Sequence, residues 1–340
     1  MKYLNISFII PTLNAQKVLD KCLASINNQK YPKSKYEILI VDGGSTDKTI
    51  NIAQKYHSKI IKNPLKTAEA GKAIGVKQAK GEFICLIDSD NILPNSNWLS
   101  KMLYPFTQNS KIIGTEPIKF TYRKNSGIIE RYSALIGAND PYAFITGVYD
   151  RQNFVNYKWT GLKINQIDKH QYIEIKLDPN RSIPTIGANG TIFKTQFLKE
   201  NIKSDYLFDI DILSRVLQQT QKPILFAKVK VGIIHTFCES SIKKFIRKQR
   251  RRLVDYYTYQ SLRDYQWHKN HSHPQIKFIF YSILIIPALI DSFRGFIHKP
   301  NIVWFLHPFF CFITLLTYTF VTLQFKLGLL KPINRDLWQQ

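Results

Sequence analysis

Through its first 115 residues the chain alternates short apolar runs with stretches of helical spacing. Apolar runs at 6–10, 37–41, 59–62, 83–87 and 112–113 predict strands. Between them, residues 17–28 set Val18, Leu19, Cys22, Leu23 and Ile26 at helical spacing. Residues 46–56 read as a helix with Ser45 or Thr46 as its N-cap, and 68–79 and 98–106 as two more. Strand–helix alternation with short loops predicts an α/β fold, a mostly parallel sheet with helices on both faces.

From 117 to 182 the pattern blurs into aromatics, Asn and turn residues, which reads as a substrate-facing insertion rather than a second domain. Regularity returns with a helix over 208–219, whose Ile212, Leu213, Val216 and Leu217 share a face. Strands at 224–228 and 231–234 and a basic amphipathic helix over 241–259 follow. Two apolar runs close the chain. The first, 276–290, contains one charge, Lys277, and the second, 302–325, contains no Asp, Glu, Lys or Arg. The second is long enough to span a bilayer. The first spans only if it extends towards Phe296, and is otherwise re-entrant. A pair of buried core helices would carry the same pattern. The expected organisation is a domain over 1–265 and a membrane-associated helical hairpin with its tail over 266–340. The basic helix before the pair, and Lys326, Lys331 and Arg335 after it, fit the positive-inside rule with both ends cytosolic. A cell-membrane protein with its catalytic domain on the cytoplasmic side is therefore expected.

A hydrophobic fraction of 44% excludes a disordered chain. The formal charge of +24 favours anionic partners such as nucleotides or anionic lipid, and residues 243–252 alone hold seven basic residues and no acid. No nucleic-acid module is recognisable, so nucleic acid is not an expected partner. The four cysteines are scattered without metal-ligand spacing and read as reduced core thiols of a cytosol-facing protein. Residues 1–5 run directly into a strand without an apolar leader segment, so no signal peptide is expected.

Chemistry concentrates where the apolar strands end. The run 83–87 delivers Asp88-Ser89-Asp90, two carboxylates around one small residue. In an open α/β sheet ligands sit at that edge. Hard divalent cations take carboxylates together with substrate phosphates, so the triplet is a candidate metal–diphosphate site. Three other segments converge on the same edge: Pro11-Thr12-Leu13-Asn14, the turn from Asp42 through Gly43-Gly44-Ser45-Thr46-Asp47-Lys48-Thr49, and the helix opening with Gly71-Lys72. Asp42 can accept hydrogen bonds from a base or ribose, Gly43-Gly44 permits close backbone approach, and Lys72 can meet a phosphate as a point charge.

In order and spacing these motifs closely resemble family 2 glycosyltransferases of the GT-A fold, over roughly residues 5–260 and most strongly over 5–95. The resemblance implies that Pro11, Thr12, Asn14, Asp42, Lys72, Asp88 and Ser89 bind the nucleotide sugar, with Asp88 near the ribose. It implies that Asp90, with Asp88 and His235, holds Mn2+ or Mg2+. Many members carry Arg-Asn where this chain has Lys72-Ala73. Gly187-Ala188-Asn189-Gly190 resembles the acceptor loop, with Gly187, Asn189 and Gly190 as its contacts, although a plain Gly/Asn turn has the same composition. At the start of the helix over 208–219, Asp209 takes the register of the general base. Asp211, two positions on, is assigned to the acceptor side, although only one of the two can point into the site. Gln249 and Arg252 weakly resemble a motif of processive synthases without its tryptophan, and are assigned to a diphosphate or lipid headgroup. The implied function is metal-dependent, inverting sugar transfer from a UDP- or GDP-type nucleotide-diphosphate sugar to a hydroxyl of a lipid-linked or cell-envelope glycan. The alternatives are a polyprenyl-phosphate acceptor and, more remotely, a non-catalytic basic protein of membrane surfaces or nucleic acid.

Overall fold

The computed structural model describes residues 3–202, 204–265 and 273–334. Its first half follows the alternation of the sequence: β1 (Ile6–Thr12), α1 (Leu19–Asn27), β2 (Tyr36–Asp42), α2 (Thr49–Lys55), β3 (Lys59–Lys62), α3 (Ala68–Gln78) and β4 (Phe83–Leu86). The four strands are parallel in the order β3-β2-β1-β4. Every residue of β1 is buried, as expected of a central strand covered on both faces. Phe8 and Ile10 join one core and Ile9 the other. On the Ile9 side α3 approaches closely because Gly75 has no side chain: a Cβ there would lie 2.4 Å from Ile9 Cγ2. Strand register sets Thr12 beside Asp42, so two candidate residues end their strands together.

Helix α2 begins at Thr49 rather than at residue 46. Ser45, Thr46 and Asp47 instead build the turn before it, and Asp47 Oδ1 accepts a hydrogen bond from Thr49 N at 2.9 Å.

Beyond β4 the sheet becomes mixed. The elements are β5 (Asn91–Ile92), α4 (Trp98–Gln108), β6 (Gly114–Phe120), α5 (Ile128–Ile136), α6 (Pro141–Thr146), β7 (Asn165–Asp168), β8 (Tyr172–Leu177), β9 (Thr191–Lys194), α7 (Thr195–Asn201), α8 (Asp209–Thr220), β10 (Ile224–His235) and α9 (Ile242–Thr258). The sheet continues β4-β9-β6-β10-β8-β7, with β9 antiparallel to both neighbours, β6 parallel to β10, and the β7–β8 hairpin antiparallel at the edge.

Three expectations change here. No strand forms at 112–113, where one is expected; β6 begins just after, at Gly114, and runs through Pro117. Proline has no N–H for the ladder and reads as a break, but Pro117 pairs with Val229 just before the register shifts between Val229 and Gly232. The two strands expected at 224–228 and 231–234 are the single β10, bent at that irregularity. The stretch 117–182 supplies the end of a central strand, two helices and an edge hairpin.

The C-terminal runs form α10 (Pro274–Leu284), α11 (Ile286–His298) and α12 (His307–Lys326). The run 276–296 is not one helix. It breaks at Ile285, which has φ 59°, with Pro287 in the next turn, and its two halves meet at 81°. Residues 302–326 are long and apolar enough to cross a membrane. These helices share a core with the sheet domain: Phe278, Trp304 and Phe310 pack with Ile129, Tyr132, Phe237 and Phe245. All four cysteines are free and buried. Arg335 lies outside the described residues.

Candidate active site

At the ends of β1 and β2 the polar residues tie one turn together. Asp42 Oδ2 accepts from the backbone N–H groups of Gly44 (2.9 Å) and Ser45 (2.8 Å), and Oδ1 accepts from Thr12 Oγ1 (2.8 Å) and Ser45 Oγ (2.6 Å). Its acceptor positions are thus taken up within the chain. Asn14 adopts φ 52°, and its Oδ1 accepts from Thr46 N at 2.9 Å. Asn tolerates this left-handed geometry better than most residues. Pro11 lies under α3, where a Cβ on Gly71 would come within 3.0 Å of its ring.

One strand along, Asp88 and Asp90 are half-buried and Ser89 between them is buried. Asp90 Oδ1 lies 3.3 Å from His235 Nε2, and its Oδ2 lies 3.2 Å from Lys248 Nζ. The backbone carbonyl of Asp90 accepts from Thr236 N and Oγ1, both at 3.0 Å, which fixes the triplet to the end of β10. Burial pushes the Asp90 carboxyl up, but His235 and Lys248 outweigh it and hold the group well below the usual carboxylate range. Asp88 moves the other way: burial raises it, Lys72 opposes, and Asp90 and Asp209 add to the rise. His235 Nδ1 is buried without a hydrogen-bond partner. Among the described residues no three His, Cys, Asp or Glu side chains form a ready-made metal cage. Asp90 and His235 are nevertheless a carboxylate and an imidazole side by side, a donor set that suits Mn2+ when phosphate oxygens complete it.

Asp209 is the first residue of α8, and Lys72 Nζ lies 3.0 Å from its Oδ1. Lys72 is buried. Its ammonium, which the sequence assigns to a phosphate, is directed at Asp209. Burial would lower its pKa, but the charges of Asp209, Asp88 and Glu69 outweigh this and raise it. Gly187 leaves room on the other side, since a Cβ there would sit 3.0 Å from Asp209 Oδ2. Gly190, at φ 77°, turns the loop back to the sheet through its N–H to Leu86 O at 3.0 Å. Asn189 Oδ1 accepts from Asn91 Nδ2 at 3.2 Å, joining this loop to the strand ends.

A cavity of about 1110 Å³ connects these groups. Its lining includes Asp88, Gly187, Asn189 and Asp209, the charged Asp140, Asp150, Arg252 and Arg263, and Phe278, Leu315, Leu323 and Lys326 of the C-terminal helices. Pro11, Thr12, Asn14 and Asp42 do not line it.

Two assigned residues lie elsewhere. Asp211 is fully buried and bidentate to Arg263, accepting from Nε at 2.7 Å and Nη2 at 2.8 Å, and also from Asp264 N at 2.9 Å. It therefore holds 263–264 rather than facing an acceptor. Gln249 is also fully buried: its Nε2 donates to Asn139 O at 2.8 Å, and its Oε1 accepts from Arg252 at 2.8 Å and Tyr318 at 3.2 Å. No headgroup reaches it. Arg252 does line the cavity, with its Nη1 3.1 Å from Asp140 Oδ2.

Sequence reasoning missed a buried charge cluster beside the loop of Gly187 and Asn189. Glu116, Arg151 and Lys228 are all fully buried. Glu116 pairs with Arg151 at 2.5 Å and with Lys228. Arg151 Nη1 lies 2.6 Å from Asp150, and its Nη2 donates to Asn189 O at 3.3 Å. Burial pushes the Asp150 carboxyl up to about 7 against the pull of Arg151. A lysine amid the apolar run of β10 is the one local signal of this cluster.

Residues 7–132 match the model of glycosyl transferase family 2. The glycosyltransferase AglE of Haloferax volcanii is 30% identical over 135 residues, 38% of this chain and 44% of that protein. The dolichyl N-acetyl-alpha-D-glucosaminyl phosphate 3-beta-D-2,3-diacetamido-2,3-dideoxy-beta-D-glucuronosyltransferase of Methanococcus voltae is 37% identical over 113 residues, 31% of this chain and 35% of that protein. The matched stretches thus span less than half the length of these curated relatives. Among solved structures, a mannosyltransferase of Pyrobaculum calidifontis in complex with GDP-Man and Mn2+ superposes with a TM-score of 0.51. That alignment covers 94% of this chain and 88% of the other at 12% identity, a likeness of fold.

Proposed function

From a chain that carries a glycosyl transferase family 2 domain on a mixed sheet of the GT-A kind, we propose an inverting sugar transfer. The donor is a UDP- or GDP-type nucleotide-diphosphate sugar, and the acceptor is a hydroxyl on a lipid-linked or cell-envelope glycan. One observation carries the reading: Asp88, from the end of the β4 strand, and Asp209, from α8, line one cavity with the loop of Gly187 and Asn189. That arrangement suits a donor at the strand ends and an acceptor arriving from the other side.

Asp209 takes the proton of the acceptor hydroxyl as that oxygen bonds to the anomeric carbon and the bond to the diphosphate breaks. Lys72 anchors one carboxylate oxygen of Asp209, and the space at Gly187 keeps the other clear. Thr12, Asn14 and Asp42 form the nucleoside side through the turn they hold. Asp90 and His235 would hold the divalent cation, Mn2+ or Mg2+. When bound, such an ion supplies positive charge to the departing diphosphate. Lys248, beside Asp90, adds a protein cation at the same place.

A phosphate acceptor is already anionic and needs no base, so a carboxylate lining the cavity favours a hydroxyl. The name of the Methanococcus voltae relative specifies a dolichyl-linked acceptor, which supports the lipid-linked form. With the basic α9 beside an apolar C-terminal unit, it also supports a membrane location with the catalytic domain on the cytoplasmic face. The test is Asp209→Asn. Transfer falls by about 100-fold or more while nucleotide-sugar binding, read by calorimetry, is retained. Unchanged turnover overturns the assignment.

A further inference from the structure

Most of the large hydrophobic side chains exposed among the described residues lie between Ile276 and Leu329. Phe280, Ile283, Ile286, Ile297, Ile302 and Leu327 are each more than half exposed. The three helices of this region contact one another, and Ser292 and Gly295 of α11 pack against Trp304, which also joins the core shared with the sheet domain. Ser292 Oγ donates to Trp304 O at 2.8 Å, and a Cβ on Gly295 would strike the Trp304 ring at 2.4 Å. An apolar surface of this extent on an otherwise well-packed unit marks an interaction site.

We infer that α10, α11 and α12 lie in the plane of one leaflet of an anionic bilayer and do not cross it. By length alone α12 could cross, with 20 residues rising about 30 Å. Its packing forbids this. Helix α9 runs beside it in the same direction: Phe245 meets Phe310 with ring centroids 5.1 Å apart, Tyr318 donates to Gln249 at 3.2 Å, and Tyr257 stacks on Phe325 at 4.1 Å. Between Phe245 and Tyr257, α9 carries Arg247, Lys248, Arg250, Arg251 and Arg252. If α12 stood across the bilayer, this basic stretch would stand at hydrocarbon depth beside it, together with Asp90 and Asp140, the partners of Lys248 and Arg252. Each charged side chain at the bilayer centre costs at least about 2.5 kcal/mol. A helix with one face on a folded domain and the other bare satisfies both neighbours when it lies along the interface.

Charge selects a leaflet over a second copy of the chain. Residues 273–334 hold Lys277, Arg294, Lys299, Lys326 and Lys331 against one acid, Asp291. Two such faces would bring like charges together, whereas anionic headgroups neutralise them. The placement also deepens the transfer reading, on which this step rests. Phe278, Leu315, Leu323 and Lys326 of these same helices line the cavity that holds Asp209, and Leu323 and Lys326 are exposed, so the cavity reaches the face that meets the leaflet. A lipid-linked acceptor reaches Asp209 through that cavity without leaving the membrane.

The test uses the full chain carrying Lys299→Cys and Lys331→Cys, one cysteine on each side of α12. The protein is reconstituted into phosphatidylcholine vesicles with and without phosphatidylglycerol and treated with a membrane-impermeant maleimide. In-plane binding gives molecules with two labels or none in intact vesicles, two labels throughout after permeabilisation, and stronger flotation with phosphatidylglycerol that weakens in salt. A majority of singly labelled molecules in intact vesicles means that α12 crosses and overturns the inference. So does failure to float with either vesicle, whether or not the chain self-associates. Nucleotide-sugar turnover in detergent is measured separately. Its loss counts against the transfer reading and leaves the labelling result standing.

Discussion

Lys72 reaches across the fold to Asp209, 137 residues further along the chain, and holds Oδ1 at 3.0 Å. The contact joins α3 to α8 and sets the direction of the only carboxylate of α8 that lines the cavity. A buried charge-assisted hydrogen bond of this kind contributes about 1.5–3 kcal/mol. Lys72→Met is therefore expected to lower kcat by about 10- to 100-fold with nucleotide-sugar affinity nearly unchanged. Steady-state kinetics with calorimetry separates this from the phosphate role read in the sequence: a raised KM at constant kcat would return Lys72 to the donor side.

Asp90 lies between His235 Nε2 at 3.3 Å and Lys248 Nζ at 3.2 Å, and its carboxyl is held ionised. If Asp90 and His235 are the protein's share of a metal site, chelation abolishes transfer and Mn2+ restores it. Asp90→Asn then weakens activation by the ion by more than the roughly 10- to 100-fold typical of losing an outer-shell partner. Titrating activity against free Mn2+ in both proteins checks this. Identical titration curves would remove Asp90 from the site.

Asp211 and Arg263 form a buried bidentate pair at 2.7 and 2.8 Å. Removing one partner of such a pair costs about 3–5 kcal/mol because the other charge stays buried and uncompensated. Asp211→Ala is expected to lower the unfolding free energy by an amount in that range, read as a shift of the denaturation midpoint at constant m-value. The kcat of the protein that remains folded changes little. The reverse pattern, full stability with lost turnover, would put Asp211 rather than Asp209 at the acceptor.

These partners explain what the sequence discloses and what it conceals. The strands β1, β2 and β4 are legible because each is an apolar run ended by a polar group, a local pattern that burial in a parallel sheet imposes. Asp88, Asp90 and Asp209 are legible for the same reason, as acids at the ends of regular elements. The strand β6 is concealed by Glu116 and Pro117, which read as loop. Glu116 tolerates full burial because Arg151 and Lys228, distant in sequence, meet it. Asp211 and Gln249 mislead in the opposite way: they sit where functional groups are expected, but their tertiary contacts turn them inward. Composition alone also leaves the attitude of α12 open, because span and surface helix differ in what packs alongside, and the helix alongside is α9.

Asp150 carries the clearest pH dependence. Its side chain lines the cavity 14% exposed, with Oδ2 2.6 Å from Arg151 and with Glu116 and Lys228 close behind. Burial raises the carboxyl to about 7, Arg151 and Lys228 pull it down, and Glu116 adds to the rise. In the unfolded chain an aspartate titrates at about 3.9. Between those values the folded protein keeps a proton that the unfolded chain has released. Stability therefore falls as pH rises from about 4 through about 7, and the loss is complete above that. Asp150→Asn makes the neutral form permanent and removes this limb. Against the parent, the variant is expected to be relatively more stable above pH 7 than below pH 6, as read by thermal melts across the range. Parallel curves for the two proteins would mean that Asp150 is ionised throughout and that the cluster of Glu116, Asp150, Arg151 and Lys228 is held as two fixed ion pairs.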